Sequence, residues 1–231
     1  FYDVVVQGFT GSEDPSPIAR EGSAPRRGGF GQVMGQPDIS FSFQNEIVPV
    51  TVNTSGTPTE RPLNHEILEL LGFEVNSTAT TNGLLQYDLE AYNLSSKSVR
   101  WNQSHKSGAA YLRRDFLGAR ADGSLSFTSS GLLMLDVQGK AATISRSKHS
   151  SAITPSYLDT AATPAHRMPI AAKGVTLAAT WLDSGSTAFS DDFTELEINF
   201  NSNLQVAPSA KSANGIDEVI AIPGDISGRF R

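Results

Sequence analysis

Glu195 and Glu197 are the nearest this 231-residue sequence comes to a catalytic pair. They stand two apart in a run that alternates apolar and polar residues. On a strand their carboxyl groups would lie side by side on one face, about 7 Å apart by the strand rise. Glycoside hydrolysis can use that spacing, but a solvated face or the wall of a channel asks for the same residues. His65, His105, His149 and His166 are dispersed, with no H-x-H or H-x-x-x-H pair, so no metal site on one strand or helix is indicated. Asp183, Asp191 and Asp192 flank the turn TWLDSGSTAFSDD, which offers oxygen ligands to calcium. It lacks the alternating Asp/Asn and closing Glu of a calcium loop, and an ordinary hairpin tip is the simpler reading. There is no G-x-S-x-G elbow and no phosphate-wrapping G-x-x-x-x-G-K-[ST]. GGFGQVMG, from Gly28 to Gly35, lacks the dinucleotide-binding pattern and reads as a hinge. The expectation is no catalytic residue, no metal, no cofactor and no enzyme.

Composition narrows the class further. The chain has 24 Asp+Glu against 18 Lys+Arg, a net charge of −6, and only 18% charged residues. Its polarity comes from Ser, Thr, Asn and Gly. Hydrophobic content of 39% supports a folded core, and the absence of basic excess argues against ordinary nucleic-acid binding. With no Cys, disulfide scaffolds, thiolate zinc sites and thiol catalysis are excluded. Apolar runs such as Val4–Val6 and Leu132–Leu135 are far short of the roughly 20 residues a spanning helix needs. No signal peptide is visible. The chain opens on Phe1 and stops on Phe230-Arg231 in mid-strand, so both true termini are expected to lie beyond it. The sequons at Asn53, Asn76, Asn93 and Asn102 are what chance supplies in so Ser/Thr/Asn-rich a chain.

Most of the chain reads as short strands between turns. Phe1–Phe9 is a strand broken at Gly8; in Asp38–Phe43, Ile39, Phe41 and Phe43 alternate with Ser40 and Ser42. Pro62–Leu71 is the one helix, with Leu63, Ile67, Leu70 and Leu71 on one face and Gly72 just past its end. At about 15 Å it covers a sheet face and makes no bundle. Strands follow at Leu85–Ala91, Lys97–Gln103, Ala109–Arg114, Ser124–Thr128 and Leu132–Gln138, with Asp115–Gly123 a connector and Ser129-Ser130-Gly131 a hairpin turn. Val175–Leu182, Glu195–Leu204, Val219–Ile222 and Ile226–Arg231 complete the set. In Glu195–Leu204 the residues Leu196, Ile198, Phe200 and Leu204 face one way, and Glu195, Glu197, Asn199, Asn201 and Asn203 the other. Residues 10–31, 53–61 and 141–171 read as long loops or arms, the first carrying Arg20, Arg26 and Arg27. The expected architecture is a single, mainly β domain over 1–231, a β-sandwich or barrel with one short α-helix.

The order of these features resembles the tail tube proteins of long-tailed bacteriophages. The helix with its Leu-Gly-Phe exit stands here as NHEILELLGFEV (Asn64–Val75). A Tyr-bearing polar strand region follows, LLQYDLEAYNLSSKSVRW. A Leu-Gly-Ala-Arg connector then leads into a hairpin, DFLGARADGSLSFTSSGLLMLDVQGKA (Asp115–Ala141), where Val137-Gln138-Gly139 replaces the family's Phe-x-Gly-like finish. A late strand, an Asn-Gly loop and a closing strand similar to Arg-x-Ile-Thr-Gly-x-Phe appear in Leu196–Arg231, the last over Gly224–Phe230. The resemblance covers about 64–141 and 174–231, and the Arg-rich arm departs from it.

The resemblance implies a structural virion protein, made in the host cytoplasm, whose copies join sheets laterally into rings of usually six. Rings stack into the tail tube through which the genome passes. Its partners would be further copies of itself and other tail proteins at the tube ends. DNA would pass the lumen without specific binding, and no membrane is involved. Six copies at −6 each would put about −36 on a ring, a same-sign wall along which DNA slides. Glu195, Glu197, Asn199 and Asn201 are the lumen-lining candidates. Arg20, Arg26 and Arg27 are the candidates for an arm docked on the adjacent ring. The alternative is a carbohydrate-binding β-sandwich module, which would need Trp101 or Trp181 exposed on one face.

Overall fold

The computed structural model describes residues 6–18, 33–47, 65–76, 86–89, 96–104, 111–128, 131–149, 177–179, 189–191, 194–222 and 224–231. Its strands are β1 (Gln7–Asp14), β2 (Pro17–Ile18), β3 (Val33–Met34), β4 (Asp38–Glu46), β5 (Phe73–Asn76), β6 (Gln86–Leu89), β7 (Lys97–Ser104) and β8 (Tyr111–Thr128). After these come β9 (Met134–Lys140), β10 (Thr143–His149), β11 (Leu177–Ala179), β12 (Phe189–Asp191), β13 (Glu195–Phe200), β14 (Leu204–Pro208), β15 (Ile216–Ala221) and β16 (Ile226–Phe230). The single helix among them, α1, is His65–Leu70. The architecture is mainly β and all its pairings are antiparallel.

The spine is β8, 18 residues long. Residues 134–149 run back along one edge of it in one register, from Ser126↔Met134 through Arg120↔Lys140 to Leu117↔Thr143 and Tyr111↔His149. On the opposite edge β7 takes the first half of β8 and β13 the second. The main sheet therefore runs β1-β4-β9-β8-β13-β16, while the first half of β8 also centres the β7-β8-β10 group.

The two halves of β8 meet at a corner. Phe116 and Ala119 are both fully buried although three residues apart, and regular alternation then brings Ala121 and Phe127 inward. Gly118, at φ +62°, absorbs the missing step. Such a break lets one strand pass from one layer to another that packs across it. The fold closes accordingly: Phe9 of β1 stacks on Trp101 of β7 at 4.4 Å, Arg114 donates to the Gly11 carbonyl at 3.4 Å, and Arg146 of β10 pairs with Glu13 of β1 at 2.7 Å. Ile39, Phe41, Phe43, Phe116, Leu135 and Val137 fill the space between.

α1 and the turn that ends it seal one side of this core with Ile67, Leu70 and Leu71, the spacing the sequence predicts. Leu71 lies against Gly123 of β8. Gly72, at φ +90°, ends the helix and donates to the Glu69 carbonyl. Glu69 pairs with Lys97 of β7 at 2.5 Å.

Several expectations need correction. Asp115–Gly123 is no connector but the middle of β8. Its Gly and Ala residues resemble a loop in composition, yet in the fold Gly123 has no room for a side chain against Leu71 and the Asp136 carbonyl, and Gly118 little against Ala142. Residues 10–14, placed in the first arm, pair with β4 instead. Thr10 and Ser12 satisfy their hydroxyls on Ser42 and Ser40, so a strand without an apolar stripe still has partners. Residues 143–149, placed in the third loop, form β10, held by backbone pairing to β8 that a strand of polar residues does not announce. Glu195–Leu204 is two strands, not one, because the chain breaks at Asn201–Asn203, with Asn203 at φ +42°. Pro17–Ile18, also placed in the first arm, form β2, and Val33–Met34 of the predicted hinge pair with it as β3. Residues 19–31, 53–61 and 150–171 lie outside the described residues.

Candidate functional face

Alternation gives the six-stranded sheet two unlike faces. Ile39, Phe41 and Phe43 of β4 point into the core, as do Leu135 and Val137 of β9. The residues between them in sequence make the opposite face. Register sets them side by side: Thr10 beside Ser42, Ser12 beside Ser40, Ser42 beside Gln138, Gln138 beside Asp122, and Ser124 between Asp136 and Asn199.

These side chains bond across the strands. Thr10 and Ser42 hydroxyls lie 2.7 Å apart, and those of Ser12 and Ser40 2.9 Å apart. Gln7 donates to Glu46 and Gln44 to Asp136, each at 2.5 Å, and Lys140 reaches Asp38 at 3.3 Å. Cross-strand pairs of this kind stabilise a sheet by about 0.2–1 kcal/mol each. They also leave a polar surface already partnered within itself.

Glu195, Glu197 and Asn199 fall on this face, as the alternation predicts. Arg229 of β16 bridges the two carboxylates, 2.7 Å from Glu197 and 3.2 Å from Glu195. Asn199 donates to Glu197 at 3.3 Å. Asn201 sits just past the strand, its Oδ1 accepting from the Asn203 backbone N–H at 2.9 Å. The structure thus brings the first three together and leaves Asn201 at the turn. Arg20, Arg26 and Arg27 lie outside the described residues, as do Asp183 and Asp192 of the calcium alternative. Sequence reasoning missed Arg229, because nothing local announces that β16 pairs with β13, from Leu196↔Phe230 to Phe200↔Ile226. It missed the Thr10–Ser12 ladder because those residues read as arm.

Two open grooves lie on the face. One, about 610 Å³, runs between the β1–β4 hydroxyls, Asp122, Lys140 and the Asn201–Leu204 turn. The other, about 430 Å³, is bordered by Ser124, Ser126, Glu195, Glu197 and Arg229. No group of three or more His, Cys, Asp or Glu among the described residues could hold a metal ion. No helix among them is long and apolar enough to cross a membrane.

Asp122, bordering the first groove, has a displaced titration. Burial raises it above the ordinary aspartate value, and hydrogen bonds from Ser202 and from the Leu204 backbone pull it part of the way back. The Ser202 backbone N–H donates to its Oδ1 at 2.6 Å. Because the folded state holds this proton more tightly than the unfolded chain, Asp122 favours folding most at acid pH. That contribution declines as pH rises through the interval between the ordinary and the raised values. Asp122→Asn keeps the acceptor and removes the charge. Thermal melts across this interval are expected to show a flatter pH dependence in the variant, and an unchanged slope would exclude Asp122 as its source.

The sequence matches no protein-family model, and no curated relative is found for it.

Proposed function

We propose that the chain is a self-assembling structural protein of the tail-tube type, with the polar sheet face lining a channel for DNA. The observation that carries this reading is the six-stranded sheet itself. One face packs on the core; the other holds an internally bonded layer of hydroxyls, amides and paired charges; and both ends are edges, β1 pairing only with β4 and β16 only with β13 among the described residues. Edge strands of this length invite pairing with another chain, and lateral joining of edges closes a ring without leaving any open. A wall whose polar groups already satisfy one another offers DNA few donors to grip. Glu195 and Glu197 remain on it as carboxylates tempered by Arg229.

The apolar face supports the same reading at its β16 end. Ile226 is 57% exposed, and Ile220 and Ile222, a few residues before it in sequence, are each more than a third exposed. In a ring a neighbouring copy would cover them. A sugar-binding module would instead present Trp101 to its ligand, whereas that ring is stacked on Phe9. On this proposal the protein belongs to the virion tail, is made in the host cytoplasm, and meets further copies of itself and tube-end proteins.

Electron microscopy at rising concentration, with mass measurement alongside, tests the assembly. Rings or tubes with a central hole are expected; a particle that stays monomeric at high concentration overturns the reading. Ile226→Lys places a charge on the exposed edge. It is expected to move monomer stability by no more than about 0.5 kcal/mol while abolishing rings. Rings of unchanged yield from that variant would remove β16 from the joint.

A further inference from the structure

We propose that the Asn214–Gly215 step is a conformation-gated modification site. It is shielded from deamidation while the β14–β15 hairpin is latched to the corner of β8 and β10, and open to it once the hairpin lifts away. The inference stands on the local geometry and does not depend on the assembly reading.

Asn-Gly is the dipeptide in which a side-chain amide is most open to attack by the next backbone nitrogen, because glycine has no Cβ to obstruct the approach. Hydroxide removes the Gly215 N–H proton and the nitrogen attacks Asn214 Cγ. The new C–N bond closes a succinimide ring, and the Cγ–Nδ2 bond breaks to release ammonia. Water then opens the ring at either carbonyl, leaving aspartate or isoaspartate. The balance is one amide and one water converted to one carboxylate and one ammonium.

Each atom that must move is held. Asn214 Nδ2 donates to the Ala142 carbonyl and, at 2.7 Å, to Thr143 Oγ1. Its Oδ1 accepts from the Ile216 N–H at 3.3 Å. The attacking nitrogen, Gly215 N, donates to the Ser212 carbonyl at 3.1 Å, and the Gly215 carbonyl accepts from Ser209 N at 2.8 Å. Ile216, next in sequence and 3% exposed, anchors the turn in the core. Ring closure therefore requires the hairpin to leave Ala142 and Thr143 first, and the rate follows the population of that opening. The change is one-way. The product carboxylate has no proton to donate to the Ala142 carbonyl, and isoaspartate adds a backbone methylene at the start of β15.

The test is peptide mapping by mass spectrometry of the full chain held at mildly alkaline pH, following the gain of about 1 Da that accompanies deamidation. Mapping is needed because Asn82–Gly83 is a second Asn-Gly step, outside the described residues. A synthetic peptide spanning 209–219 sets the unprotected rate. Asn214 in the folded chain is expected to react at least about tenfold more slowly than in the peptide, with denaturant erasing the difference and Thr143→Ala narrowing it. Asn214→Asp, as the product mimic, is expected to speed amide exchange in β14–β15 relative to β8. Equal rates in folded chain and peptide, or protection that survives denaturant, would overturn the proposal.

Discussion

Phe116→Ala is expected to destabilise the fold by about 3–5 kcal/mol, the range for emptying a fully buried phenylalanine site. Phe116 is 0% exposed and occupies the inside of the corner in β8. Its ring meets Phe9 of β1 at 5.9 Å and Phe41 of β4 at 5.5 Å, so one side chain ties the β7-β8-β10 group to the main sheet. The gap cannot collapse easily, because Ala119 behind it is also fully buried and the backbone turns at Gly118. Against a typical total of 5–15 kcal/mol, the loss should lower the melting temperature by about 10 °C or more. A calorimetric melt within a degree or two of the parent would mean that the two layers are not joined through this ring.

Gly139→Val should approach the same size from the opposite cause. A Cβ at Gly139 would lie 2.1 Å from Phe41 Cζ and 2.6 Å from its Cε atoms. Phe41 is 3% exposed, with Phe43 stacked beside it at 6.3 Å and Phe116 tilted on it at 5.5 Å, so the ring has nowhere to turn. Overpacking of this kind costs about 1–3 kcal/mol and sometimes more, and a valine against a boxed-in ring should sit at the top of that range. The cause is separable by a double-mutant cycle. Phe41→Leu and Gly139→Ala should each destabilise alone, while their combination should be less damaging than the sum, since the shorter side chain vacates the space. Strict additivity would show that the ring and the glycine do not compete.

The polar face explains which parts of this protein could be read early. In β4 and the second half of β8, serines alternate with large apolar residues, and period 2 makes both faces evident. The same holds for Glu195, Glu197 and Asn199 against Leu196, Ile198 and Phe200. Residues 10–14 of β1 and the whole of β10 were hidden because their side chains are mostly polar on both sides; their strand character comes from backbone pairing with β4 and β8, outside their own segments. The corner was hidden for another reason. Gly118, Ala119, Ala121 and Gly123 have the composition of a loop, and only the neighbours packed against the glycines, Ala142 on Gly118 and Leu71 on Gly123, show that smallness is the requirement. Arg229 entered the site only when β16 was seen to pair with β13.

By itself the sequence determined the mainly β class, the one amphipathic helix and its glycine stop, the absence of any cysteine chemistry, and the polar side of those strands that alternate polar with apolar residues. All of these depend on neighbours within a few residues, where side-chain type and backbone geometry act directly. The tertiary structure decided which strands share an edge, that one long strand turns a corner to serve two layers, and that two glutamates share an arginine from the end of the chain. Those outcomes depend on contacts between residues far apart in the chain, from 32 positions between Glu197 and Arg229 to 133 between Glu13 and Arg146, and no local period records them.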